Sequence, residues 1–401
     1  MPSRPMSFLS RSRKAGHDLA TVAVIGRRFI DLATDEIVVE PSSSVCEGAM
    51  AAVNAEANRY VDLIGLTSLR RAVAEKLSVE TRVGWSAEEI VITTGAQQAL
   101  LYAAVTVLAP GDEVIIIRPW RPILLSQVVL AGAAPVFVDA RCPRYIPDIS
   151  AIRVAVTPQT KAIIINSPNN PTGAVYNRTI LQDIGELAIE RQIWIISDEC
   201  YSGLVFTGFR HHESIVMAHP RVRSRTIIVK SFSRELMITG WRLGYFAAPA
   251  QLVSAVRKLQ SHAIATPNVI AQQAILHHLQ ASDGSFEEQI YQRLVDARNI
   301  GLHILSDLRD VTPSRADGSF CFYLNLSRLL SALRTEGSVR SADDIARVLL
   351  EEANVGCVPG DAFGDANGLR LSFGAPPELL EMGLKRIVEA LNGLRRGQPG
   401  T

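Results

Sequence analysis

Between residues 89 and 247, seven short and almost wholly apolar runs alternate with segments of helical length, and this alternation restricts the possible folds more than any other feature. The runs are Glu89 to Thr93, Glu113 to Ile117, Ala134 to Val138, Ala162 to Asn166, Ile193 to Ser197, Thr226 to Val229 and Leu243 to Ala247. Strands that are apolar throughout, rather than at every second position, are buried on both faces. The segments between them carry helix stops: Ala96 to Leu108 runs into Pro110-Gly111, and Pro122 to Ala131 into Gly132, while Thr179 to Arg191 supplies a third helix. The expected fold is α/β, a mostly parallel seven-stranded sheet flanked by helices, which forms a large domain.

Beyond about residue 285 the texture changes to long amphipathic segments, Phe286 to Leu308, Ser341 to Ala353 and Pro377 to Leu394, with brief strand candidates at Phe320 to Leu326 and Leu369 to Phe373. This predicts a smaller α+β domain. The expected division is an N-terminal arm over 1–45 that packs with the small domain, a large ligand-binding domain over 46–285, and a small C-terminal domain over 286–401. A chain of 401 residues suits two cores better than one. No Pro/Gly/Ser linker separates them, so an extended shared interface is expected.

With 41 basic against 40 acidic residues the net charge is +1, which gives no electrostatic case for a nucleic-acid partner and points to a small molecule. The five cysteines are scattered without a Cys-x-x-Cys, as in a reducing cytoplasm, and imply neither a disulfide framework nor a metal site. Apolar runs such as Ala162 to Ile165 fall far short of the roughly 18 residues of a membrane span. The first 14 residues carry four basic side chains and no acid, which reads as an arm rather than a cleaved leader. His211-His212 and His277-His278 are adjacent pairs rather than i,i+4 ligands, so they read as solvated or helix-face histidines; phosphate-loop, zinc-protease and serine-hydrolase signatures are absent.

Several motifs fall where the strands end. Thr93-Thr94-Gly95-Ala96-Gln97 follows a strand and opens a helix, which is either a plain turn or an anion site made by backbone N–H groups. Asn166 to Gly173, with two asparagines and two prolines, is more than an ordinary turn needs. Asp198 closes a strand at the edge of the sheet crevice, where it is either a helix cap or a ligand group, and Tyr201 follows it. Lys230-Ser231-Phe232-Ser233-Arg234 leads to Gly240-Trp241-Arg242-Leu243-Gly244-Tyr245, and Arg370 sits in a late strand as either a clamp or one half of a surface ion pair.

Taken in order, these motifs resemble the fold-type I pyridoxal-phosphate aminotransferases of class I/II over roughly residues 60 to 375. The resemblance implies an enzyme that uses pyridoxal 5'-phosphate or pyridoxamine 5'-phosphate on an amino acid or keto acid. It places the cofactor phosphate at Ala96, Gln97, Ser231 and Arg242, the ring nitrogen at Asp198, the ring oxygen at Asn170 and Tyr201, and the substrate carboxylate at Arg370 and Asn170. It further implies a homodimer in which Tyr60 reaches the neighbouring subunit's phosphate.

Three departures qualify it. Pro119-Trp120-Arg121 stands where the family has an aromatic residue over the ring, so either Trp120 shifts to stack or the Arg121 guanidinium takes that place. Thr34-Asp35-Glu36-Ile37 replaces a Gly-Glu-Pro-Asp pattern at the substrate mouth. Arg234 stands at the position of the lysine that joins the cofactor covalently and shuttles the proton, and a guanidinium with a pKa above ~12 suits neither task. Lys230 is the only lysine nearby in sequence. The arginine is either natural or a replacement of the lysine, and the competing reading is a protein that binds the cofactor without turnover.

Overall fold

The seven apolar runs form neighbouring strands of one sheet in a computed structural model that describes residues 28–207, 212–333 and 339–394. The strands are β1 (Ile30–Asp31), β2 (Ile90–Thr93), β3 (Glu113–Arg118), β4 (Ala134–Arg141), β5 (Ile146–Pro147), β6 (Thr160–Asn166), β7 (Trp194–Asp198), β8 (Thr226–Ser231) and β9 (Gly244–Ala247), followed by β10 (Thr312–Pro313), β11 (Cys321–Asn325), β12 (Val355–Gly356), β13 (Val358–Pro359) and β14 (Gly368–Ser372). The large sheet runs β2-β9-β8-β7-β6-β3-β4-β5. Strands β8, β7, β6, β3 and β4 are parallel, and β9 is antiparallel to both its neighbours. The sheet has one strand more than the seven expected: β5, two residues long, lies antiparallel on the edge of β4.

The residues explain the layering. Ala162, Ile163, Ile164 and Ile165 of β6 are all buried, two on each face of the sheet. Burying each isoleucine is worth roughly 1.5–3 kcal/mol, which ties helices to both sides. Helix starts are fixed locally: Asn177 accepts from the Ile180 N–H at 3.1 Å, Asn268 from the Ala271 N–H at 3.0 Å, and Ser341 with Asp344 forms a reciprocal capping box.

The later part of the chain builds an antiparallel sheet, β10-β11-β14-β13, against the helices Ser285–Leu305 and Pro377–Leu394. β1 joins this region by pairing in parallel with β12, Ile30 opposite Val355. One continuous apolar cluster links Val114 and Phe246 of the large sheet to Phe320, Leu371 and Leu384. Residues 1–27, and with them the basic N-terminus, lie outside the described residues, as does His211.

The chain passes from β3 outward to β4 and returns through β6 on the other side of β3. Such a reversal opens a crevice at the carboxyl ends of the strands, which is where α/β sheets bind their ligands.

Candidate active site

Strands β3, β6, β7 and β8 deliver their following residues to that crevice. Asp198, the last residue of β7, is fully buried, and its two oxygens are both engaged. Oδ1 accepts from the Cys200 N–H at 3.2 Å and Oδ2 from Arg121 Nη1 at 2.9 Å. After β6, the doubled asparagines divide the labour. Asn169 Oδ1 holds the turn by accepting from the Thr172 N–H at 3.0 Å and its hydroxyl at 2.7 Å, which leaves the Asn170 amide to face the crevice. Asn170 Nδ2 donates to Tyr201 Oη at 3.0 Å and to Asp35 Oδ1 at 3.2 Å. Burial, then the Asp35 charge, pushes the Tyr201 phenol upward, so it stays protonated at neutral pH.

A small cavity of about 60 Å³ brings together Ala96, Gln97, Arg121, Ser231, Arg234 and Arg242, and Ser233, Thr239 and Cys200 complete its wall. Gly95 opens the helix at its edge with φ +74°, and a Cβ there would lie 2.7 Å from Arg242 Nη2. A Cβ at Gly244 would lie 2.8 Å from the Ala96 nitrogen. Only glycine lets the strand, the guanidinium and the helix N-terminus close around this space.

Arg370 enters from β14 and is 7% exposed, so it is no surface residue. Nη2 donates to the Ala33 carbonyl at 2.5 Å and Nη1 to Asn170 Oδ1 at 3.4 Å, while the buried Nε has no partner among the described residues. Trp120 stacks on Phe137 at 4.5 Å and 16°, and the Arg121 guanidinium is the group that turns inward, 5.8 Å from the Tyr201 ring.

Arg234 binds a residue that the sequence did not single out for chemistry. Its Nη2 donates to Asp35 Oδ2 at 2.8 Å and its Nη1 to the Asp35 backbone carbonyl, and its guanidinium lies 5.8 Å from the Phe320 ring. Tyr201 Oη also donates to Asp35 Oδ2, at 3.3 Å. Burial would raise the Asp35 carboxyl, yet Arg234, then Arg370 and Arg121, hold it below the ordinary aspartate value. For Arg234, burial is outweighed by Tyr201 and Asp35, which keep the guanidinium charged. Two of the three sequence departures, at 34–37 and at 234, thus meet in one ion pair. The signal that could have found Asp35 is the need of an inward arginine for a counter-charge.

Lys230 lies on the opposite face. It is 2% exposed and ion-paired to Glu80, with Glu235 at 3.8 Å, and Lys76 bridges the same two acids at 3.4 and 2.5 Å. Burial alone would lower its pKa, but Glu80 and Glu235 raise it, so it is a locked ammonium. This quartet borders a second cavity of about 280 Å³, which His212, His278 and Arg234 also line. His278 is not solvated: Ser44 at 2.7 Å and Glu287 at 2.9 Å hold its ring, whereas His277 is half-buried on the same helix. Tyr60 is 86% exposed and lines neither cavity.

Known proteins share the sequence pattern and the fold. The family described as aminotransferase class I and II matches residues 27–387. An aspartate aminotransferase of Bacillus sp. (strain YM-2) is 32% identical over 365 residues, 90% of this chain and 91% of the relative. An aspartate/prephenate aminotransferase of Cereibacter sphaeroides is 32% identical over 400 residues, 98% of this chain and 97% of the relative. The Thermus thermophilus aspartate aminotransferase structure with maleate superposes with a TM-score of 0.85 at 30% identity, covering 97% of both chains. Members of this group use pyridoxal 5'-phosphate. The chain belongs to the class I and II aminotransferase family.

Proposed function

We propose that this protein binds pyridoxal or pyridoxamine phosphate without a covalent link to the chain and acts on an amino acid or a keto acid. The observation that carries the reading is Arg234, a charged guanidinium ion-paired to Asp35 where the family resemblance places a reactive lysine. The other residues fit the cofactor. The cradle at Gly95, which a Cβ would fill, suits a phosphate held by the Ala96 and Gln97 N–H groups, Ser231 and Arg242. Asp198 would hold a protonated ring nitrogen, and Asn170, once its bond to Tyr201 opens, would hold the ring oxygen together with the Tyr201 phenol. The unpartnered Arg370 Nε, buried beside Asn170, suits a substrate carboxylate.

When bound, the cofactor supplies an electron sink for charge that develops on the substrate carbon. Arg234 cannot take up the proton released there, because its pKa is raised further above an already high value. The chain therefore orients and neutralises without contributing an amine. A second reading, binding without turnover, is favoured by the same ion pair. Two further parts belong to this proposal: a homodimer in which the exposed Tyr60 reaches the partner's phosphate cradle, and a cytoplasmic location consistent with five unpaired cysteines. Among the described residues no helix is long and apolar enough to cross a membrane.

The test is to incubate the protein with each cofactor form, record absorption and dissociation, reduce with borohydride and map lysines by mass spectrometry. Bound cofactor with no modified lysine is expected. An adduct on Lys230, or no binding of either form, would overturn the reading. Amino transfer to a keto acid from added pyridoxamine phosphate separates turnover from binding alone.

A further inference from the structure

Asp35 comes from the segment after β1 and takes three side-chain donors: Arg234 Nη2 at 2.8 Å, Asn170 Nδ2 at 3.2 Å and Tyr201 Oη at 3.3 Å. An asparagine amide has two hydrogens, and those of Asn170 go to Tyr201 and Asp35. Neither is left for another carboxylate. The same segment occupies Arg370, whose Nη2 donates to the Ala33 carbonyl at 2.5 Å. Residues 33 to 35 thus fasten onto Asn170, Arg370 and Arg234 together, and Arg234 holds Asp35 by backbone and side chain alike.

We propose that Asp35 is a specificity-determining residue, a resident carboxylate in the substrate-carboxylate subsite, latched by Arg234, which an incoming carboxylate must displace. The name of the subsite rests on the functional reading above; the occupation of Asn170 does not. A second carboxylate beside Asp35 also meets a like charge in a partly buried site, where water screens poorly. Carboxylate ligands therefore bind weakly as long as Asp35 stays in place, and the penalty is greatest for those with more than one carboxylate.

The probe is maleate, titrated calorimetrically into the wild-type chain, Asp35→Ala, Asp35→Asn and Glu36→Gln, each with and without pyridoxamine phosphate. Glu36 is exposed and bonded to Thr239 at 2.9 Å, so Glu36→Gln removes a neighbouring charge without vacating the subsite. Asp35→Ala is expected to tighten maleate by at least about tenfold, Asp35→Asn by less, and Glu36→Gln by under about twofold. Asp35→Asn keeps an acceptor for Arg234 and safeguards the test if the alanine variant does not fold. Equal tightening in the Glu36 and Asp35 variants, or none in the Asp35 variants, would overturn the proposal. If the Asp35 contrast holds in protein that binds no cofactor, the functional reading fails and the role of Asp35 stands.

Discussion

Two sets of paired charges lie on either side of the segment 230–235, and they are built from different cations. On the crevice side, Arg121 pairs with Asp198 and Arg234 with Asp35, each guanidinium reaching a carboxylate on a different element. On the other side, Lys76 and Lys230 share Glu80 and Glu235. A guanidinium fork orients a partner and keeps its proton; an ammonium is a point charge whose proton can be removed if it is left alone. The two lysines beside the family's position, Lys230 and Lys76, are therefore charged and paired on the far side. Alternation along β8 explains why: consecutive residues point to opposite faces, so Lys230 and Ser231 cannot both serve the crevice.

The largest expected effect is all or none. Arg234→Lys places an amine on the crevice side, and borohydride should then trap the cofactor on residue 234, where the parent chain gives nothing. Because the new ammonium would face Asp35, trapping should grow more complete as pH rises. If trapping occurs instead at Lys230 in either chain, the contrast between the two faces is wrong.

Next in size is the rear quartet. Lys230→Met leaves Glu80 and Glu235 with Lys76 alone, and we expect a loss of about 2–3 kcal/mol in urea unfolding, below the usual cost of breaking a buried pair because Lys76 remains. The pH dependence has a defined sign. Burial would raise Glu80, but Lys230 and then Lys76 lower it to about 2, so its contribution is present above its unfolded value and is lost as pH falls toward about 2. The acid limb of the stability curve should therefore flatten in Lys230→Met. An unchanged limb would show that Lys76 alone holds Glu80.

The two faces were not equally legible in the sequence. Continuous apolar runs gave the large sheet, because the inner strands, buried on both sides, leave a signal in every residue, although β4, near the sheet edge, is only partly buried. The two-residue strands β1, β5, β12 and β13 carry no such periodicity and are fixed only by their partners. Helices such as Thr67–Thr81 and Val269–Ala281 lie outside the stretches where stop signals were clear. At the site, the position of Asp198, Asn170 and Ser231 at or just after strand ends was readable, and the family resemblance supplied the roles proposed for them. The pairing of Asp35 was not readable, since its contact with Arg234 spans 199 positions. Nor was the rear quartet, which joins Lys76 to Glu235 across 159 positions.

The smallest effect tests whether the two crevice pairs are alike. Asp198 is shared between Arg121 and, in the functional reading, the ring nitrogen of the cofactor. If the guanidinium only neutralises a buried carboxylate, Arg121→Leu frees that charge for the cofactor and should tighten pyridoxamine phosphate by up to about tenfold, ~1.4 kcal/mol. The unliganded variant should at the same time unfold at lower temperature, because Asp198 loses its guanidinium partner and keeps only neutral donors of Cys200 among the described residues, and added cofactor should restore more of the midpoint than in the parent. Weaker binding in Arg121→Leu would instead mean that the guanidinium lies over the ring, where a cation on an aromatic face is worth about 0.5–2 kcal/mol. Arg121 would then serve the ligand directly while Arg234 serves Asp35, and the two front pairs would differ in kind.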